Sequence, residues 1–183
     1  MESRAEWRGD ISPPARLLAT DFVLRAISQA DWAIEAELSR DPQVVQWTHH
    51  PESMDELAAR ERIRHYEKRA AEGATQRFVI LDDHGDSLGT CGIGRLMEET
   101  PEVFYTLLER GRGRGAATQA ATALSQWATT NGCRSVALVT IEGNEPSERV
   151  ALRAGFARAE RFEGDHRGKP VRLTRWLRHS NAY

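Results

Sequence analysis

The chain has 183 residues, 40% of them hydrophobic and 28% charged, a composition that suits one folded, soluble domain and excludes a disordered polyelectrolyte. Its 25 basic residues face 27 acidic ones, for a formal net charge of −2, and every basic residue except Lys68 and Lys169 is Arg. Such near-neutrality excludes wholesale coating of a polyanion, so any basic function has to be local.

Residues 1–20, with Gly9, Pro13 and Pro14, show no sustained periodicity and are expected to form an N-terminal arm before a single domain over 21–179 and a short tail over 180–183. Phe22 to Ala26 reads as a strand, and Ser28 as the N-cap of a helix over Ala30–Leu38 that stops at Asp41-Pro42. A loop carrying Trp47, His49, His50 and Pro51 leads to a second helix capped by Ser53 or Asp55, with Ala59, Ile63, Tyr66 and Ala70 as its inward stripe. Gln76–Leu81 and Leu88–Leu96 read as strands around a turn at Asp83, Gly85 and Asp86. Glu102–Leu108 alternates, with Val103, Tyr105 and Leu107 on one face and Glu102, Phe104, Thr106 and Leu108 on the other. An Arg-Gly tract follows, then a helix striped by Ala116, Ala117, Ala120, Leu124, Trp127 and Ala128 and stopped at Asn131-Gly132. Ser135–Thr140 is a strand, Pro146–Ala154 a short helix, and Ala157–Phe162 with Val171–Arg178 a closing strand pair. The order predicts an α/β (α+β) fold with one parallel crossover, from the 102–108 strand through the following helix to the 135–140 strand.

No apolar run approaches the roughly 20 residues of a membrane span, and residues 1–19 lack a signal-peptide core, so a cytoplasmic protein without a membrane partner is expected. Cys91 and Cys133 lack Cys-x-x-Cys spacing and read as two buried thiols.

The segment from Leu107 to Ala117, Leu-Leu-Glu-Arg-Gly-Arg-Gly-Arg-Gly-Ala-Ala, joins a strand to a helix. Glycines there allow a tight turn and close ligand approach, and the first helical turn offers free N–H groups and the positive end of the helix dipole, a place for a phosphate. The P-loop spacing Gly-x-x-x-x-Gly-Lys-Ser/Thr is absent. Gly111-x-Gly113-x-x-Ala116 fits a dinucleotide fingerprint, but the acidic partner expected about 20 residues on is missing. The tract is no low-complexity RNA-binding tail either, since it lies between a strand and an apolar-striped helix, and no nucleic-acid partner is expected.

The remaining pattern, Arg112-x-x-Gly115-x-Ala117, resembles the Gln/Arg-x-x-Gly-x-Gly/Ala signature of the GNAT acetyltransferases. Glu102-Val-Phe-Tyr-Thr-Leu107 resembles the family's fourth strand. Asn144-x-x-Ser147-x-x-Val150 with Gly155-Phe156 resembles a block of its Rim-type ribosomal-protein N-terminal acetyltransferase branch. The resemblance implies a mixed sheet of about six to seven strands flanked by about four helices, with the family's fourth and fifth strands splayed, which a bulge near Leu107 would cause. It implies acetyl-CoA as co-substrate, its pyrophosphate on the N–H groups of Gly113, Gly115, Ala116 and Ala117 with Arg112 and Arg114 as cationic support. The acyl-pantetheine arm is then expected beside Leu107, oriented by Asn144. Glu102 matches the family's general base. The usual acidic Tyr of the helix after the fifth strand is missing here, and Ser147 matches the Ser that some Rim-type relatives use in its place; Tyr105 is expected to pack in the core. Trp47, His49 and His50 fall where the family shapes its acceptor pocket, and no metal is expected, because His49-His50-x-Glu52 lacks helical spacing and a third ligand.

The expected activity is acetyl-CoA-dependent N-acetylation of a primary amine, on a protein N-terminus or a small molecule, by direct attack in a ternary complex of a monomer or homodimer. The alternative is a non-catalytic acyl-CoA-binding module of the same shape.

Overall fold

The computed structural model describes residues 11–180. In chain order the elements are β1 (Arg16–Ala19), β2 (Phe22–Ala26), a 3-10 turn at Gln29–Asp31, α1 (Trp32–Leu38), α2 (Pro42–Trp47), α3 (Glu56–Ala71), β3 (Thr75–Leu81), β4 (Ser87–Gly94) and β5 (Glu102–Leu107). A second 3-10 turn at Glu109–Gly111 precedes α4 (Ala116–Thr130), β6 (Ser135–Ile141), α5 (Glu145–Arg153), β7 (Ala157–His166) and β8 (Lys169–His179). The strands make one mixed sheet ordered β1-β2-β3-β4-β5-β6-β8-β7, in which only β5 and β6 run parallel.

The architecture is the expected α/β mixture, with eight strands where six to seven were expected and five α-helices where four were. The extra strand lies inside the presumed arm: Leu17 pairs with Leu24 at the sheet edge, and with Leu18 exposed its four residues are too few to establish a period. The extra helix begins where a break was read. Asp41 Oδ1 accepts from the amides of Gln43 (3.0 Å) and Val44 (3.3 Å), and Pro42 occupies the first helical position, where its missing N–H costs nothing. Of the 1–20 arm, residues 1–10 lie outside the described residues, as do 181–183 of the tail.

The sheet is covered on both faces. Phe78, Ile80, Cys91, Ile93 and Val103 pack against Ala116, Ala120, Leu124 and Ala128 of α4. On the opposite face Val79 and Leu108 pack with Ile34 and Leu38 of α1 and Ile63 of α3. Small residues along α4 bring its axis close to the sheet, and each large apolar side chain buried there contributes about 2 kcal/mol. Asp55 caps α3 by accepting from the Ala58 amide at 2.8 Å. Trp176 is buried on β8, its indole N–H satisfied by Thr140 Oγ1 at 3.0 Å.

One feature of the sheet positions the site. β5 and β6 register only at Glu102↔Ala137, joined by the Ala137 amide on Pro101 O at 2.8 Å, and from Val103 onward they diverge. The expected bulge near Leu107 is not the cause, because the β4–β5 ladder runs from Gly94↔Glu102 to Gly89↔Leu107 without a register shift. Instead β6 follows β8, to which all seven of its residues are paired.

Gly92 of β4 makes room beside this split. A Cβ there would sit 2.5 Å from both Gln76 O and the Phe104 ring, one a backbone atom that cannot yield. Gly92→Ala is expected to cost about 3 kcal/mol by overpacking, read as a lowered urea midpoint at constant m; a midpoint within error of the parent would contradict the packing described.

Candidate active site

The split opens a cleft of about 780 Å³ that runs from the N-terminus of α4 to the loop between α2 and α3. At one end, Gly115 caps α4 in the left-handed region (φ 83°), and Gly113 also has positive φ (73°); a Cβ added at Gly113 would meet nothing within 4 Å. Glycine reaches this conformation freely, and its use here turns the chain so that α4 starts facing the cleft. The first helical amide with a partner in α4 is that of Gln119, on Gly115 O at 3.0 Å. The amides of Ala116, Ala117 and Thr118, residues that line the cleft, thus have no helical acceptor. Together with the helix dipole they form an anion cradle of the size of a phosphate group.

The arginines of the tract are held by carboxylates of the protein itself. Arg112 donates to Asp41 Oδ2 (2.5 Å) and Leu107 O (3.0 Å); Arg114 donates to Asp82 Oδ2 (3.1 and 3.2 Å); Arg110 pairs with Glu37 and donates to Ser87 O (2.8 Å). Burial opposes ionisation of Asp41, but the Arg112 guanidinium and the α2 amides overcome it and hold the carboxyl below its usual range. Arg112 lines the cleft, whereas the Arg114 side chain, drawn to Asp82, does not. The tract therefore acts as a brace: three ion pairs to separate elements fix the loop whose backbone lines the cradle. Asp41 and Asp82 are the partners that sequence reasoning did not supply, since one was read as a break and the other lies next to a turn.

At the split the two faces of β5 carry different chemistry. Glu102 lies on the α3 side, where burial raises its carboxyl pKa and Arg95, 3.6 Å away, offsets only part of the rise. On the α5 side, Tyr105 OH lies 2.7 Å from Ser147 Oγ, and burial pushes the phenol up to about 12 against the pull of that bond. Asn144 caps α5, its side chain accepting from the Ser147 amide at 3.3 Å, which sets Ser147 on the first turn facing Tyr105. All four residues, with Leu107, line the cleft. Tyr105 packs against the main core as expected and, in addition, turns its hydroxyl into the cleft; the alternation that put it on the face opposite Glu102 was the available signal.

The other end of the cleft is roofed. His49 and His166 rings meet at 4.9 Å, a His166 ring nitrogen bonds Gln46 O at 2.8 Å, and Arg167 donates to Thr48 O (3.2 Å), His50 O and Glu52 (3.4 Å). The β7–β8 turn is thereby clasped to the α2–α3 loop, and Trp47, His49 and His50 all line the cleft beneath it. The His50 ring turns inward, 3.1 Å from Glu35 O, and burial lowers its pKa despite the Glu35 carboxylate, so it is neutral at pH 7. Cys91 and Cys133 are free and buried; burial raises both thiols, that of Cys133 to about 11, which keeps them protonated and unreactive at neutral pH.

A sheet split beside a helix whose free amides face the gap, with a carboxylate on one face and a hydroxyl pair on the other, is the frame of an acyl-CoA-dependent transferase. The family model described as an acetyltransferase (GNAT) domain matches residues 21–157, and the chain belongs to that family. Searching curated proteins finds no match. Among solved structures, the chain resembles the ribosomal α-N-protein acetyltransferase RimL in complex with coenzyme A (TM-score 0.82, 17% identity, 92% of this chain and 99% of that one). It equally resembles the microcin self-immunity acetyltransferase MccE in complex with acetyl-CoA and AMP (0.82, 15%, 92% and 98%). A spermidine N-acetyltransferase chimera from Vibrio cholerae is also similar (0.74, 16%, 88% and 96%). At these identities the likeness is one of fold.

Proposed function

We propose that the protein is an acetyl-CoA-dependent N-acetyltransferase that acetylates a primary amine by direct attack within a ternary complex. The observation that carries this reading is that one cleft joins the α4 amides to Glu102 and to the Ser147–Tyr105 pair through the β5–β6 split. The N–H groups of Gly113, Gly115, Ala116 and Ala117 hold the pyrophosphate, with Arg112 bracing the loop and lending positive charge. Arg114 acts through its bond to Asp82. The pantetheine arm lies in the split, along the β5 backbone near Leu107 and past Asn144. Acetyl-CoA supplies the activated acyl group.

The acceptor amine enters from the α3 side, under Trp47 and His49. Glu102 takes a proton from the ammonium, directly or through water, and a raised pKa brings it nearer the value a base needs. As the amine nitrogen bonds to the acyl carbon and the C–S bond breaks, the nitrogen sheds its remaining extra proton to solvent on the Glu102 side, while Ser147 passes its proton to the departing sulfur and regains one from solvent; Tyr105, protonated throughout the neutral range, holds the Ser147 hydroxyl in place through their 2.7 Å bond. Placing base and acid on opposite faces of the sheet puts them on opposite sides of a thioester threaded between, so neither quenches the other.

Ser147→Ala is expected to lower kcat about 10- to 30-fold and Tyr105→Phe about threefold, with KM for acetyl-CoA little changed. Equal activity in both variants and the parent would remove the pair from the chemistry. The reading as a whole is tested by following free CoA thiol with acetyl-CoA and a panel of protein N-terminal peptides, amino acids and polyamines. Amine-dependent release supports it; saturable acetyl-CoA binding with no release for any amine would leave the non-catalytic module.

A further inference from the structure

On the α3 side of the cleft, Arg77 of β3 stands opposite Gly92, which stands opposite Phe104, so Arg77, Phe104 and Glu102 share one face of the sheet and line one chamber. The Arg77 guanidinium is clamped between two rings, 4.2 Å from the centroid of Tyr66 and 4.6 Å from that of Phe104, and Gly92 is the gap that lets Phe104 lie there. Its Nη1 donates to Thr90 Oγ1 at 3.3 Å, while Nε is buried without an acceptor.

Charge matching sets this group apart from the other cations on the α3 side. Arg62, the neighbouring cation, is paired with buried Glu35 at 3.2 Å, and Glu102 has Arg95. Among the described residues no carboxylate lies within 4.0 Å of Arg77. A half-buried cation without a counter-charge is costly, and a guanidinium held over two rings is restrained while keeping a planar fork of donors suited to a planar oxyanion. From the strand and residue spacings, Arg77 and Glu102 have α-carbons about 12 Å apart, and both side chains reach into the chamber between them.

We infer that the acceptor is an amine that also carries a carboxylate, which docks on Arg77 while the amine faces Glu102. This rests on the N-acetyltransferase reading and names its substrate class: an amino acid whose own carboxylate binds, or a peptide with an acidic residue at or next to its N-terminus. A polyamine, cationic along its length, is disfavoured by the same residue.

The test uses products, so that it does not depend on turnover. The protein saturated with CoA is titrated calorimetrically with N-acetyl amino acids and N-acetyl peptides with acidic first or second residues, each as the carboxylate and as the matching carboxamide, and with N-acetylspermidine. At least one carboxylate is expected to bind tenfold or more tightly than its amide, the N-acetyl amino acid and N-acetyl peptide arms deciding which source fits. Arg77→Gln is expected to bring that ratio to within about twofold, and Arg77→Lys, which keeps the charge but not the fork, to an intermediate value. No preference for any carboxylate, a preference that survives in Arg77→Gln, or N-acetylspermidine binding as tightly as the best carboxylate would overturn the inference. The parent's carboxylate-to-amide ratio stands even if a variant fails to fold, and failure of CoA itself to bind would instead count against the enzyme reading.

Discussion

Glu102→Gln is expected to lower kcat/KM by about two to three orders of magnitude while leaving the affinity for acetyl-CoA within a factor of about two. Glutamine keeps the shape of the side chain on β5 and loses only the capacity to accept a proton, so the loss falls on the chemical step. The pH dependence sharpens the test. With Glu102 as the proposed base, catalysis requires the ionised carboxylate, and because burial raises its pKa, the acid limb of kcat/KM should be displaced upward from that of a free glutamate and disappear in the variant. The stability sign runs the other way. A raised pKa means that the fold favours the protonated carboxyl, a contribution present in acid and lost as pH rises through the folded-state value. Glu102→Gln, permanently neutral, should therefore melt no lower than the parent at pH 7 to 8. A variant that melts markedly lower, or retains the limb, would show that Glu102 is a structural anchor for Arg95 and that the base lies elsewhere.

Gly113→Asp is expected to weaken acetyl-CoA binding about 100-fold. A carboxylate about 5 Å from a pyrophosphate at an effective dielectric near 20 repels it by about 3 kcal/mol. The substitution is chosen because nothing lies within 4 Å of the new Cβ and Asp tolerates positive φ better than most residues, so the fold should survive. Gly113→Asn, matched in shape and neutral, separates charge from backbone strain, and its Kd should rise no more than about fivefold. Equal losses in the two variants would show that strain in the loop, not the field at the cradle, sets affinity.

Much of this site was legible in the sequence because its determinants are local. A glycine-rich turn between an alternating strand and an apolar-striped helix has few physical readings, and three blocks in register narrowed them. Tyr105 was harder: alternation fixed its face, but only the approach of α5, some forty residues on, gives its hydroxyl a partner in Ser147. The arginine brace was harder still. Asp41 and Asp82 are distant in sequence from Arg112 and Arg114, and an Arg-Gly tract looks the same whether its cations face a ligand or an internal carboxylate. Here the apparent cationic patch is largely neutralised, and the backbone amides are left as the candidate anion site. Arg77 shows the converse. Nothing in Thr75–Leu81 marks one arginine as special, because its lack of a carboxylate and its clamp between Tyr66 and Phe104 arise from packing of α3 and β5 on β3.

Initial-rate kinetics with acetyl-CoA varied against the best amine test the central claim most directly. Direct attack in a ternary complex predicts intersecting double-reciprocal lines and no acetylated protein after incubation with labelled acetyl-CoA alone. Parallel lines together with a stable, amine-dischargeable acetyl-enzyme would contradict it.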